Sequence, residues 1–156
     1  MSNHLDASDL GLDSKPNRDS LAVALDAVND RWSLHVIRAV AFGAIRFTDI
    51  LREVGAPRDV LSARLRQLTE SGILAPAAPE RGRHAGYKLT SKGRELGQVI
   101  LVLKRWGDHY CDDDVATSDF VHTPCGSIFV AQVCCEACGR PVGDGPFSLA
   151  LRPEDS

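Results

Sequence analysis

The stretch FTDILREVGAPRDVLSARLRQLTESGIL, residues 47–74, decides how this chain folds. Phe47, Ile50, Leu51 and Val54 recur at helical spacing and stop at Gly55, with Pro57 just beyond. A second helical run follows at once. It places Leu61, Leu65 and Leu68 on one stripe and ends at Ser71-Gly72. A short helix and a second helix joined by a tight Gly-Ala-Pro turn form a helix-turn-helix arrangement.

Working outward, the same period appears upstream. Leu21, Ala24, Leu25 and Val28 mark one helix face, with Asp19 or Ser20 as its cap. Trp32, Val36, Ile37, Val40 and Ala41 mark another, ended by Gly43. Downstream, Ile73-Leu74-Ala75 and Tyr87-Lys88-Leu89-Thr90 are short strands, and the Pro/Gly/Arg tip PERGRHAG (residues 79–86) lies between them. This is a β-hairpin with a long loop, the wing of a winged helix. Thr90 or Ser91 then caps a long helix carrying Leu96, Val99, Ile100, Leu103, Trp106 or Gly107, and Tyr110, with Leu101 and Val102 adding a second apolar face. A helix apolar on two sides needs cover on two sides, and in so small a chain the second cover is expected to be another copy.

The face of the second helix opposite the leucines holds Asp59, Ser62, Ala63, Arg66 and Glu70, with Arg58 and Arg64 flanking the stripe. Small and polar side chains let a backbone approach base edges, and an arginine can donate two hydrogen bonds to guanine or clamp a phosphate. Arg81, Arg83 and His84 sit on the wing tip without apolar companions. The expected nucleic-acid contacts are therefore Arg58, Asp59, Ser62, Ala63, Arg66, Arg81, Arg83 and His84. The charge agrees. The chain of 156 residues has a net charge of −3, but residues 31–105 carry 14 basic and 6 acidic side chains. Residues 1–30 and 106–156 carry the acidic surplus. A basic middle supplies the attraction that a polyanion requires.

As a set, these residues resemble the HxlR-type family of bacterial winged-helix transcriptional regulators, relatives of the MarR group. The matching pieces are Leu25-Asp26, Asp30-Arg31-Trp32, Arg46-Phe47, Leu51, Leu61-Ser62, Arg64-Leu65, Leu68, Gly72-Ile73-Leu74, Tyr87-Lys88-Leu89-Thr90, Gly93-Arg94-Glu95-Leu96 and Trp106-Gly107. The resemblance implies a homodimer, joined through the first and last helices, that reads a palindromic site in double-stranded DNA. Two positions depart from the family pattern. Many members carry a redox-sensing cysteine just before the first helix, where this chain has Asp19 and Ser20. Members also often place Ser or Thr ahead of the recognition helix, where this chain has Pro57.

Residues 120–156 change character. Ile128 and Val130 alternate with Phe129, Ala131 and Val133, and later come Phe147, Leu149 and Leu151. Four of the five cysteines lie here. His122-Thr-Pro-Cys125-Gly126 and Cys135-Glu-Ala-Cys138-Gly139 are two similar knuckles, each with two soft ligands three positions apart. His122, Cys125, Cys135 and Cys138 would complete a closed tetrahedral structural Zn2+ site. Reduced or disulfide-forming thiols and plain packing are the alternatives, and Cys134 can stand in for Cys135. The expected fold is thus mainly α with a small β-wing (α+β). Residues 1–18 form an arm, 19–111 the winged helix-turn-helix, 112–119 an acidic linker and 120–156 a zinc-ribbon-like module.

No uninterrupted apolar run exceeds five residues, as in Val99 to Leu103, so neither a transmembrane helix nor a membrane partner is expected. The start lacks the basic end and apolar stretch of a secretory signal, which points to the cytoplasm. Catalysis is not expected. Cys135 and Cys138 have thioredoxin spacing, but no βαβ pattern surrounds them. His35 falls inside a helical pattern as a packing or surface residue. A protein-interaction adaptor is the competing reading, and no residue signature for a small-molecule effector stands out.

Overall fold

A computed structural model describes residues 19–78, 85–111 and 119–143. The elements run α1 (Ser20–Val28), α2 (Ser33–Ala41), α3 (Phe47–Val54), α4 (Arg58–Glu70), β1 (Leu74–Ala77), β2 (Gly86–Leu89), α5 (Ser91–Tyr110), β3 (Phe120–His122) and β4 (Ser127–Phe129). The chain is mainly helical with two small antiparallel sheets, β1-β2 and β3-β4. Residues 79–84 of the expected wing tip, 112–118 of the acidic linker, and Phe147, Leu149 and Leu151 lie outside the described residues.

The core is built where the sequence period placed it. Val36, Ile37, Ile50, Leu61, Leu65, Leu68 and Ile73 are wholly buried, and Leu74 almost so. Three helices and the first strand thus meet on one apolar centre, and each buried aliphatic side chain contributes about 1.5–3 kcal/mol. Ala39 joins this core, whereas Ala41, expected inward, is exposed. Helix α1 differs more. Asp19 caps it by accepting from the Ala22 N–H at 2.7 Å. Only Ala27 and Val28 pack against the core, while Leu21, Ala24 and Leu25 face outward. The period correctly marks an apolar face, but Leu21 and Leu25 on it stand exposed among the described residues.

The wing strands pair Leu74 with Leu89, Ala75 with Lys88, Pro76 with Tyr87 and Ala77 with Gly86. Pro76 fits inside a strand because its partner turns away: the Tyr87 N–H donates to the Ile45 carbonyl at 2.9 Å. The pair is therefore a non-hydrogen-bonded one, where proline's missing N–H costs nothing. Ile45 also lies against Gly86, where a β-carbon would meet its side chain at 2.4 Å.

Helix α5 begins at a crowded joint with the first strand. Thr90 caps it by accepting from the Gly93 N–H at 3.2 Å. The same hydroxyl donates to the carbonyls of Gly72 at 2.7 Å and Ile73 at 3.1 Å. Lys92 Nζ donates to the Ser71 carbonyl at 2.9 Å. The close approach needs glycine at 93, where a β-carbon would sit 2.3 Å from the Ile73 carbonyl oxygen. Replacing Gly93 by Ala is expected to destabilise the chain by about 1–3 kcal/mol, because backbone rather than a flexible side chain must move. Urea unfolding measures this, and an unchanged midpoint would show that the joint is looser than the structure has it.

Candidate nucleic-acid interface

The turn between α3 and α4 is set by three residues. Gly55 ends α3 in the left-handed region at φ 68°, its N–H donating to the Leu51 carbonyl at 2.9 Å. Ala56 is buried. Pro57 is the cap residue of α4 with φ −55° and ψ 145°, so the helix proper starts at Arg58. Pro57 supplies no side-chain cap. The first-turn N–H groups of α4 therefore lack the acceptor that Ser or Thr would give them.

On α4 the two faces separate cleanly. Leu61, Leu65 and Leu68 are fully buried, and Arg58, Asp59, Ser62, Ala63 and Arg66 are all exposed. The Arg58 guanidinium lies over the Phe47 ring at 5.0 Å, joining the first residues of α4 and α3. Ser62 Oγ donates to the Arg58 carbonyl at 2.9 Å. Arg66 Nε is 3.9 Å from a Glu70 oxygen, and both side chains are largely solvated. Such an exposed pair holds the arginine weakly and leaves it available. Arg81, Arg83 and His84 lie outside the described residues.

Arg64, which flanks the stripe, has a different task. Its guanidinium is 3.3 Å from Asp30 Oδ2 and also bonds Gln67 Oε1. Asp30 in turn accepts from the N–H groups of Trp32 at 2.8 Å and Ser33 at 3.0 Å, and from the Ser33 hydroxyl. One carboxylate thereby closes the turn into α2 and fastens α4 to it. Burial works to raise the Asp30 pKa, but the Ser33 hydroxyl, the two N–H groups and Arg64 outweigh it and hold the carboxyl below its ordinary range. Sequence reasoning missed this lock. Its signals were an aspartate three residues before Ser33 and an arginine beside the leucine stripe.

The metal-ligand candidates fall in two turns. His122 Nδ1 and Cys125 Sγ are 3.2 Å apart at the tip of β3-β4. Cys135 and Cys138 share a second turn, flanked by the bridge between Cys134 and Pro141. Among the described residues no three His, Cys, Asp or Glu side chains stand together as a metal centre. All five cysteines are free and exposed. The Ser127 N–H and hydroxyl hold the Cys125 thiol below its ordinary pKa. The N–H groups of Cys138 and Ala137, then the Cys138 side chain, do the same for Cys135. His35 is on the exposed side of α2.

A sequence model of the HxlR-like helix-turn-helix family matches residues 27–115. The chain belongs to this family. An uncharacterised HTH-type transcriptional regulator of Mycobacterium bovis is 36% identical over 127 residues, covering 80% of each chain. Among solved structures, a candidate transcription factor designated PA1607 is 30% identical, with a TM-score of 0.73 over 86% of this chain and 96% of its own. That coverage exceeds what residues 1–111 amount to, so the likeness continues past α5. The reduced form of the transcriptional regulator YodB from B. subtilis is 25% identical, with a TM-score of 0.53 over 65% of this chain and 99% of its own. This HxlR-like chain is accordingly a transcriptional regulator of the helix-turn-helix type and not an enzyme. No helix among its described residues is long and apolar enough to cross a membrane.

The Asp30 lock has a pH signature. A carboxyl with a depressed folded pKa adds stability that is complete above its unfolded value, about 4, and that fades as the pH falls through the folded value. Replacing Asp30 by Asn is expected to cost about 1–2 kcal/mol at neutral pH, from the lost cap and the unpaired Arg64. The variant's acid unfolding profile should also be shallower below about pH 4. Denaturant unfolding across a pH series checks both, and parallel profiles would remove the carboxylate from this role.

Proposed function

We propose that this regulator binds a palindromic site in double-stranded DNA as a homodimer, with α4 in the major groove and the wing against the neighbouring backbone. The observation that carries the reading is the division of α4. Three leucines fix it to the core, and its other side offers Arg58, Asp59, Ser62, Ala63 and Arg66 with nothing apolar among the larger side chains.

Each residue then has a part. Arg66 stands mid-helix, where a bidentate donor meets guanine. Ser62 and Ala63 keep the helix surface low enough for close approach. Asp59 can accept from a cytosine amino group. Arg58, braced on Phe47, sits beside uncapped first-turn N–H groups, and together they suit a phosphate. In the sequence, Arg81, Arg83 and His84 add basic charge between β1 and β2.

The dimer reading rests on α5 and α1. Val99, Leu103, Trp106 and Tyr110 are exposed along α5, with Trp106 62% accessible. Helix α1 has no buried residue and presents Leu21 and Leu25. A second copy covering both faces would place two α4 helices about one turn of duplex apart.

Replacing Arg66 by Ala should weaken binding to the selected operator about 10- to 100-fold, as the loss of one bidentate base contact does. Site selection from genomic DNA followed by titration measures it. Unchanged affinity sinks the assignment of Arg66, and a failure to select any sequence favours the adaptor reading. A charge at the centre of the apolar face, Trp106→Glu, should convert a dimer to a monomer in light scattering and reduce operator affinity with it. A wild-type chain that is monomeric when bound removes the dimer.

A further inference from the structure

The segment 119–143 has order without a core. None of its residues is fully buried, and Val121, Ile128, Val130, Val133 and Val142 are exposed. Its ties to the helices are few. Phe120 stacks on Phe42 at 5.3 Å and lies under Lys104, and Arg105 donates to the Ala131 carbonyl at 3.0 Å. So little apolar burial does not offset the entropy of ordering such a segment.

The order that exists is concentrated in two turns that copy one another. The His122 carbonyl accepts from the Gly126 N–H at 2.8 Å, and the Cys135 carbonyl accepts from the Gly139 N–H at 2.7 Å. Gly126 and Gly139 take the same left-handed conformation, φ 70° and 69°. Each turn is held at its base by antiparallel pairing. His122 faces Ser127 across one hairpin, and the Cys135 N–H donates to the Arg140 carbonyl at 2.8 Å in the other.

We propose that the two turns are halves of one structural Zn2+ site ligated by His122, Cys125, Cys135 and Cys138, and that the ion completes the fold of this module. The half-site dimensions fit. Zn–N near 2.05 Å and Zn–S near 2.3 Å at a tetrahedral angle put ligand atoms about 3.6 Å apart. The observed 3.2 Å between His122 and Cys125 needs a shift of only tenths of an ångström. Three soft thiolates and an imidazole select zinc over magnesium or calcium. The halves do not meet in the arrangement described, so the ion must draw them together. Metal binding then supplies the folding free energy that burial does not.

The copy relation also resolves which cysteine ligates. Cys135 occupies the place of His122, three before the second ligand and four before the glycine. Cys134 is one residue out of step with the copied turn and is engaged in a backbone bridge to Pro141.

The test uses the full-length protein, purified reduced and without chelators. Elemental analysis should find about one zinc per chain, and cobalt(II) added to the metal-free chain should give a tetrahedral ligand-field spectrum with thiolate charge transfer. Cys125→Ser and Cys135→Ser should each lose most of the zinc, while Cys134→Ser and Cys111→Ser keep it. Zinc below about 0.3 per chain together with an octahedral or absent cobalt signal overturns the proposal. So does a Cys135–Cys138 disulfide in the metal-free protein as isolated, or a Cys134→Ser variant that loses zinc as Cys135→Ser does. The cobalt spectrum of the unmutated chain keeps the question open to test if a serine variant fails to fold.

Discussion

The Asp30 carboxylate is the point on which the presentation of α4 depends. Hydrophobic burial holds α4 in place, but three leucines in an apolar centre resist sliding and rotation only as far as their packing is specific. The contacts from Asp30 to Arg64 and to the start of α2 are directional. They tie the rotation of α4 to the end of another helix, which decides which residues face outward. The tie spends one of the helix's arginines internally. Arg64 therefore belongs to the scaffold, although its charge and position make it look like its neighbours Arg58 and Arg66. Helix α4 is thus positioned by two different forces, one apolar through Leu65 and one ionic through the adjacent Arg64.

Much of this was legible in the residues. The period of Leu61, Leu65 and Leu68 gave the inward side of α4, and its complement gave Arg58, Asp59, Ser62, Ala63 and Arg66, all exposed. Gly55 and Pro57 marked the turn correctly because each restricts the backbone in its own way. The face of α1 was less legible. Apolar spacing says that a side wants cover but not what covers it, and Leu21 and Leu25 stand exposed. Ala39 and Ala41 were exchanged because alanine carries too little apolar weight to locate the edge of a helix face. The Asp30–Arg64 pair joins residues thirty-four positions apart, and no periodicity reports a contact of that range. The paired His/Cys spacing with its glycines was visible in the sequence, while the equal geometry of the two turns is visible only in three dimensions.

The two parts of the chain solve the problem of order differently. Residues 27–115, which match the family, contain a conventional core with wholly buried aliphatic side chains. Residues 119–143 contain none, and their regularity comes from glycine turns and short pairings. The aromatic stack of Phe120 on Phe42 and the Arg105 contact connect the two. Phe42 lies just after α2, at the entrance to the helix-turn-helix, so the module touches the scaffold near the elements that carry α3 and α4.

The joint at Gly93 has a mechanical consequence. Helix α5 leaves it as one unbroken rod of 20 residues. From Gly93 to Tyr110 the rod spans about 25 Å at 1.5 Å per residue. A tilt of about ten degrees at the joint therefore carries the far end by roughly 4 Å, a lever arm that magnifies a small angular play several-fold. The absent β-carbon at Gly93 leaves so little clearance that this play is confined. In a dimer assembled on α5, the distance between paired recognition helices would be geared to the tightness of that single contact.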